Sequence, residues 1–520
     1  MKPTAVAANL RNNSLDAAAV KPDAGSGAVI RSSRICHLVI LSTAFWALVL
    51  YSCMHGSDGG VVPVLSFKPT AFSLPKLPVI SIPIGRRPPS EQTPASVAQV
   101  NRSITAPADR CAGRYIYMYD LPPRFNDDLV RGCRALSPWM DMCPYLANCG
   151  MGPALGDEGG VFQDSGWYAT DQFTLEIISR CRMERYECLT GDPSLAAAVY
   201  VPFYAAMDAG RYFFNTTSTR DALALDLAEW LVRRPEWRAM GGRDHFMVAG
   251  RTSWELERKA DVDEEWGTKL LTLPAIRNMT ALILETSPWD RDNFRGEVVQ
   301  SWSSLAIPYP TYFHPETAAD VVAWQEKVRA AERRWLFSFA GAPRPGSKKT
   351  IRAEIIRQCG ASSRCNLFDC GSGASCYWPG GATRVFESSD FCLQPRGDTL
   401  TRRSTFDAIL AGCIPVFFHP GSAYTQYMLH LPGDPNSYSV LIQHTDVTGR
   451  NASIEETLSR IAPEAVRAMR EEVIRLIPRV VYADPRSTRV DFKDAFGIAL
   501  DAVIDRVAER RRGAAIDGEH

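Results

Sequence analysis

An excess of charge of either sign is missing from this chain: among 520 residues, 58 Lys and Arg stand against 58 Asp and Glu. Without net positive charge there is no general electrostatic argument for nucleic acid as a partner. Zinc-like spacing is missing too. Cys359, Cys365, Cys370 and Cys376 are separated by four or five residues rather than two, and no His lies among them, which speaks against a Cys/His zinc site. Disulfides in an oxidising compartment fit the 14 cysteines better, with Cys133, Cys143, Cys149, Cys181 and Cys188 as a further group, although spacing does not fix their pairing. Long apolar runs are scarce.

One such run extends from Ile35 to about Met54 and has roughly the 20 residues needed to cross a bilayer as a helix. Its near flank carries Lys21, Arg31 and Arg34, whereas the far flank offers Lys68; the positive-inside rule then keeps the N-terminus cytoplasmic and puts the rest in a lumen. A cleaved signal peptide is the rival, but the run is longer than such a core and begins late. The expected order is a tail (1–33), a signal-anchor (34–54) and a stem (55–110) with nine prolines among Gly and Ser. If lumenal, Asn101, Asn215, Asn278 and Asn451 head glycosylation tripeptides, a motif also common by chance.

From Cys111 onward, strand patterns alternate with helical ones. Strands read at Arg114 to Tyr119, Ala198 to Tyr204, His245 to Ala249 and Ala281 to Glu285, with helices at Phe173 to Arg180 and Asp221 to Val232. After a connecting helix at Ala318 to Arg334 come strands at Trp335 to Ala340, Val385 to Leu393, Cys413 to Phe418 and Ser439 to Gln443. Helices are expected at Lys349 to Cys359, 402 to 411 and from Ile454 and Ala462 onward. An amphipathic pattern from Arg489 to Arg510 could fold back on the first half. This predicts an α/β protein of two doubly wound, Rossmann-like domains, 111–320 and 321–500, facing a cleft, with a polar tail at 501–520. The 12 Trp fill cores or offer faces on which sugar rings stack.

The most informative stretch runs from Asp390 to Phe418: an apolar strand, a Pro-Arg-Gly turn, a helix ending at Gly412 and a second apolar strand. Such a βαβ unit puts a helix start at the carboxyl edge of a parallel sheet, where nucleotide phosphates are held. Arg396, Arg402 and Arg403 there oppose the helix dipole, which a diphosphate would compensate; a solvated basic helix start is the plain alternative.

The segments YIYMYDLPPRF (115–125), AVYVPFY (198–204), GRDHFMVAG (242–250), IPYPTYFHP (307–315), LFSFAGAPRP (336–345) and FCLQPRGDTLTRRSTFDAILAGCIPVFFHPGSAYTQYMLHLP (391–432) resemble, in order, the plant exostosin-like glycosyltransferases of family 47, particularly the xyloglucan galactosyltransferase branch. The resemblance covers about residues 111–495. It implies a GT-B fold, inversion, a UDP-galactose donor bound by the C-terminal domain and a xyloglucan-type acceptor. It also implies a single-pass type II Golgi membrane protein, with other Golgi transferases as possible partners. Arabinosyl or galacturonosyl transfer is the sibling alternative, and a non-catalytic polysaccharide-binding Golgi partner the more distant one. The branch usually has Pro where Arg396 stands, which shifts weight to Arg402 and Arg403.

Glycosyl transfer needs a stabilised leaving diphosphate and a base for the acceptor hydroxyl. Asp261-Val262-Asp263 and Asp290-Arg291-Asp292 are Asp-x-Asp patterns in charged context rather than after an apolar strand, so no metal and no cofactor are expected. On the donor side, Ser404 caps the helix or meets a phosphate oxygen, Asp407 aligns with the family's ribose-binding acid, and Arg352 matches an arginine shared with exostosins. The base is sought at strand ends of the first domain, where Asp120, Asp208 and Glu285 qualify and His245 lies on the wrong edge.

Overall fold

The computed structural model describes residues 109–517 apart from 157–158, 164, 287–302, 344–349 and 372–377. The expected tail, the signal-anchor and the stem up to residue 108, the Asn101 tripeptide, Asp290 and Asp292 lie outside the described residues. No helix among the described residues is long and apolar enough to cross a membrane.

Two parallel sheets organise the chain. The first contains β1 (Ile116–Met118), β2 (Leu189–Thr190), β3 (Ala198–Tyr200), β4 (His245–Thr252), β5 (Thr280–Glu285) and β6 (Ser304–Ala306), in the order β2-β1-β3-β4-β5-β6. The second contains β7 (Trp335–Gly341), β8 (Cys365–Asp369), β9 (Ser389–Gln394), β10 (Ile414–Phe417) and β11 (Val440–Leu441), in the order β11-β10-β9-β7-β8. Each sheet starts in the middle, adds one strand on one side and then grows the other way. The direction therefore reverses between β1 and β3 and between β7 and β9. At such a switch point the flanking loops part, leaving a crevice at the carboxyl ends of the strands. β4, β5 and β10 are buried along their whole length, as strands covered on both faces must be.

Several boundaries differ from the expectation. Val385 to Glu387 do not begin a strand; they end the helix Pro379–Glu387, and β9 starts at Ser389. Two glycines make that segment a weak helix former, but Val385 and Phe386 bury against Cys392 and Ala408, and tertiary packing overrides propensity. β2, β6, β8 and the helix Ala205–Arg211 were not legible as elements. At the chain's end, residues 501–517 form no polar tail: they continue the helix Ala495–Asp517, whose Val503, Ile504 and Val507 are buried because they pack back on the protein. Its Arg510 Nη1 donates to the Arg243 carbonyl at 2.7 Å and Arg511 Nη2 to that of Ala196 at 3.0 Å, so the helix reaches the first sheet.

The crossover between sheets is the helix Ala318–Ala330, started by a reciprocal cap between Thr317 and Asp320. Its Trp324 is buried and donates its indole N–H to the Leu410 carbonyl at 2.8 Å. Disulfides join Cys111–Cys188, Cys133–Cys143, Cys149–Cys181, Cys359–Cys365 and Cys392–Cys413. The last ties β9 to the residue ahead of β10.

Candidate active site

β9 delivers Gln394 to the switch point of the second sheet. The chain then turns through Pro395, Arg396 and Gly397 and enters the helix Ser404–Leu410, which Gly412 ends with a φ of +64°, a value glycine adopts without strain. Phe406, Ile409 and Leu410 bury the inner face of this helix. Its start is thereby fixed against the sheet.

Of the four predicted arginines, Arg396 is exposed on the turn. Arg352 is buried near the start of the helix Ile351–Ala361, and Arg402 is half-buried. Both approach Gly397 closely: a Cβ there would stand 3.4 Å from Arg402 Cγ and 3.8 Å from Arg352 Nη2. Arg403 turns inward. Its guanidinium lies 3.7 Å from the Tyr312 ring centre, its Nη1 donates to the Thr170 carbonyl at 2.6 Å, and its Nε is 3.7 Å from Asp407 Oδ2. Arg403 therefore bridges the two halves of the protein, since Thr170 precedes the helix Leu175–Met183 of the first half.

Arg403 Nε and Nη2, Asp407 Oδ1 and Gln394 Nε2 are all buried without a hydrogen-bond partner. Single atoms of this kind are scattered through the described residues, but four gathered around one helix start call for an explanation such as a ligand. Burial raises the Asp407 carboxyl to about 6 against the opposing pull of Arg403. Ser404 does not cap the helix; its Oγ donates to Gln394 Oε1 at 2.7 Å and orients that amide.

The three predicted bases separate. Asp120 is exposed after β1. Asp208 does not face the Arg403 region. It is buried on the helix Ala205–Arg211, accepts from Arg211 Nη2 at 2.5 Å, and lines a different cavity of about 300 Å³ with Thr219, Leu223 and Asp226. Glu285, only 2% exposed, ends β5 with both oxygens occupied: Oε1 accepts from Tyr309 and Thr399 at 2.7 Å each, and Oε2 from the Thr401 amide at 3.0 Å. Burial lifts its carboxyl to about 7.

His245 is fully buried between Tyr119 and Asp244, at 3.0 and 2.8 Å. Asp261 is held by Lys269 and Arg258, and Asp263 Oδ1 accepts from the Thr217 amide at 2.6 Å, so both carboxylates serve local structure. No group of three or more possible metal ligands occurs among the described residues. Asn215, Asn278 and Asn451 are exposed, and Asn278 Nδ2 donates to the Gly241 carbonyl at 3.1 Å.

Sequence reasoning missed Asp171. Half-buried beside Thr170, its Oδ1 accepts from the Phe173 amide at 2.9 Å, and its carboxyl is raised, first by burial, although Arg403 and Arg251 attract its charged form. No motif announces it, and 232 positions separate it from Arg403. Tyr309 and Tyr312 were also missed as site residues, although they lie in the 307–315 segment that carried part of the resemblance.

The Exostosin GT47 domain matches residues 110–458. The chain is 43% identical to "Xyloglucan galactosyltransferase MUR3" of Arabidopsis thaliana, over 97% of this chain and 87% of that protein. It is 47% identical to "Probable xyloglucan galactosyltransferase GT12" of the same plant, over 78% of each, and 38% identical to its "Xyloglucan-specific galacturonosyltransferase 1", over 77% of this chain and 58% of that protein. On the extent of the domain match and of these identities, the chain belongs to the Exostosin GT47 family.

Proposed function

We propose that the protein is an inverting glycosyltransferase that moves galactose from UDP-galactose to side chains of a xyloglucan-type polysaccharide. The structural observation that carries a donor site is the set of buried atoms on Arg403, Asp407 and Gln394 that lack a hydrogen-bond partner. Arg403 meets the diphosphate, with Arg352 and Arg402 converging on the same turn, and Asp407 accepts from ribose hydroxyls. The sugar and the acceptor are read from the names of the two galactosyltransferase relatives.

In this reading the acceptor hydroxyl attacks C1 of galactose, the C1–O bond to UDP breaks, and the hydroxyl proton passes to a carboxylate. Asp171 is the best placed carboxylate, since Asp120 is exposed, Asp208 lines another cavity and Glu285 already holds three donors. Arginine charge meets the growing negative charge on the leaving group, so no metal is called for. The fold belongs to the GT-B type, with two Rossmann-like domains, and the chain is a type II Golgi membrane protein.

Incubating residues 109–520 with UDP-galactose and xyloglucan oligosaccharides should add one hexose mass. A hexuronic acid increment with UDP-galacturonic acid instead would favour the second reading, which rests on the galacturonosyltransferase relative.

A further inference from the structure

Five aromatic rings gather where three segments of the first half meet. Trp139 lies in the long connection after β1, Phe213 and Phe214 follow the helix that leads away from β3, and Trp254 begins the turn after β4, with Trp266 beyond it. Trp254 lies just downstream of the carboxyl end of β4, on the edge where open parallel sheets bind ligands, and the other rings reach it through Trp266. Trp139 meets Phe214 at 5.7 Å between ring centres, Phe214 meets Trp266 at 5.9 Å, and Trp266 lies nearly parallel to Trp254 at 5.8 Å. Phe213, stacked on Trp266 at 4.5 Å, anchors the group from beneath. Phe214 is 65% exposed and Trp254 37%. Large rings left in water together mark a contact surface.

This surface adjoins the candidate active site. Trp139, Phe173, Arg251 and Asp171 line one small cavity of about 30 Å³, room for a single water, and Asp171 is an electrostatic neighbour of Arg403. A ligand on the aromatic rings therefore lies beside the loop that carries the carboxylate assigned as base.

We propose that Trp139, Phe214 and Trp254 form a docking platform for the glucan backbone of a polysaccharide acceptor. The proposal rests on the function read above and specifies which part of the substrate is gripped. Equatorially substituted pyranose rings offer flat C–H faces that cover aromatic rings while their hydroxyls stay in water. A chain of such rings matches several aromatic groups spaced along one edge.

The test separates binding from catalysis. Affinity electrophoresis of the full chain through gels containing xyloglucan measures polymer binding without a donor, and UDP calorimetry with thermal melting serves as the folding control. Phe214→Ser and Trp254→Leu, which keep polarity or volume suited to their positions, should each weaken retardation by tenfold or more. UDP affinity should be unchanged. Normal retardation of folded variants, or no retardation of the wild type, overturns the platform. If the wild type binds polymer, the variants do not, and no donor sugar is transferred, the platform stands and the galactosyltransferase reading falls. Light scattering covers the other occupant: a wild-type dimer made monomeric by Phe214→Ser, with polymer binding intact, would assign the surface to a second copy of the chain.

Discussion

Glu285 accepts the backbone N–H of Thr401 at 3.0 Å, although 116 positions separate them. The bond joins the end of β5 in the first sheet to the turn that leads into the donor-side helix of the second. With Thr399 and Tyr309 on its other oxygen, Glu285 positions that turn rather than taking a proton from the acceptor. Glu285→Gln sets an amide N–H against one of these donors, at a cost of about 1–3 kcal/mol for an unmatched buried group. Donor KM should rise by roughly tenfold to a hundredfold, more than kcat falls. A variant with normal KM and abolished kcat would return Glu285 to the role of base.

Arg403→Lys keeps the charge but loses the planar fork. Turnover should fall about 100-fold, as it does when a group that stabilises developing charge is removed, with little change in melting temperature. Arg403→Ala should also melt earlier, because Asp407 then remains buried beside an empty space. Unchanged turnover in Arg403→Lys would move the diphosphate contact to Arg352 or Arg402.

Asp171→Asn should lower kcat by about 10²–10⁴-fold, the range for a lost general base, and leave UDP affinity intact. Asp208→Asn serves as contrast: its carboxylate pairs with Arg211 in another cavity, so its effect should appear in melting rather than in kcat. If the two kinetic phenotypes are exchanged, the assignment is wrong.

Stability should depend on pH in a definite direction. Burial raises Glu176 to about 8 and Glu285 to about 7 from an ordinary 4.5. Below 4.5 the native and unfolded chains both keep these protons, whereas above the native values only the native chain must hold the charges in a dry place. The stability tied to these protons is present at low pH and lost as pH rises through 7 and 8. His314 and His430, lowered to about 4 by burial from 6.5, act oppositely and cost stability as pH falls from 6.5 to 4. Lowering pH from about 8.5 to 6.5 should therefore stabilise the fold by about 1–3 kcal/mol, with the gain levelling off below that as the two histidines offset the two glutamates. Urea titrations at these pH values measure it, and a monotonic loss on acidification would contradict the assignment.

Turnover should survive EDTA. Asp263→Ala should cost about 1 kcal/mol, because Asp263 accepts from the first amide of the helix Thr217–Val232. Turnover lost on chelation and restored by manganese would direct attention back to Asp261 and Asp263.

The βαβ unit at 391–418 was legible because its parts are local: an apolar strand, a Pro-Gly turn, and a glycine where the helix must stop. The helix Ala205–Arg211 was not. It is short and contains Gly210, which fits there because a Cβ would lie 2.5 Å from the Leu136 carbonyl oxygen and 2.9 Å from Arg251 Nη2, a constraint imposed from far along the chain. The arginines at 402–403 could be chosen from local pattern, but which one points inward depends on Tyr312 and Thr170, and that information is not local. Asp208 looked suitable from its place after a strand; the helix that carries it turns its carboxylate toward Arg211. Asp171 had no signal, because only the folded chain brings its loop to Arg403.

The closing helix Ala495–Asp517 also bears on biosynthesis. Its Val503 and Val507 are fully buried, yet the sheet that its arginines reach is complete at Ala306, almost 200 residues earlier. At about 5–20 residues per second, an emerging chain leaves that surface uncovered for on the order of 10–40 seconds. The first half must wait, exposed, for the last segment to be made. A stop codon near residue 494 would leave every residue placed in the candidate active site in the chain and still deprive the first sheet of its cover, so truncated chains should be retained by folding surveillance before any loss of chemistry could be noticed.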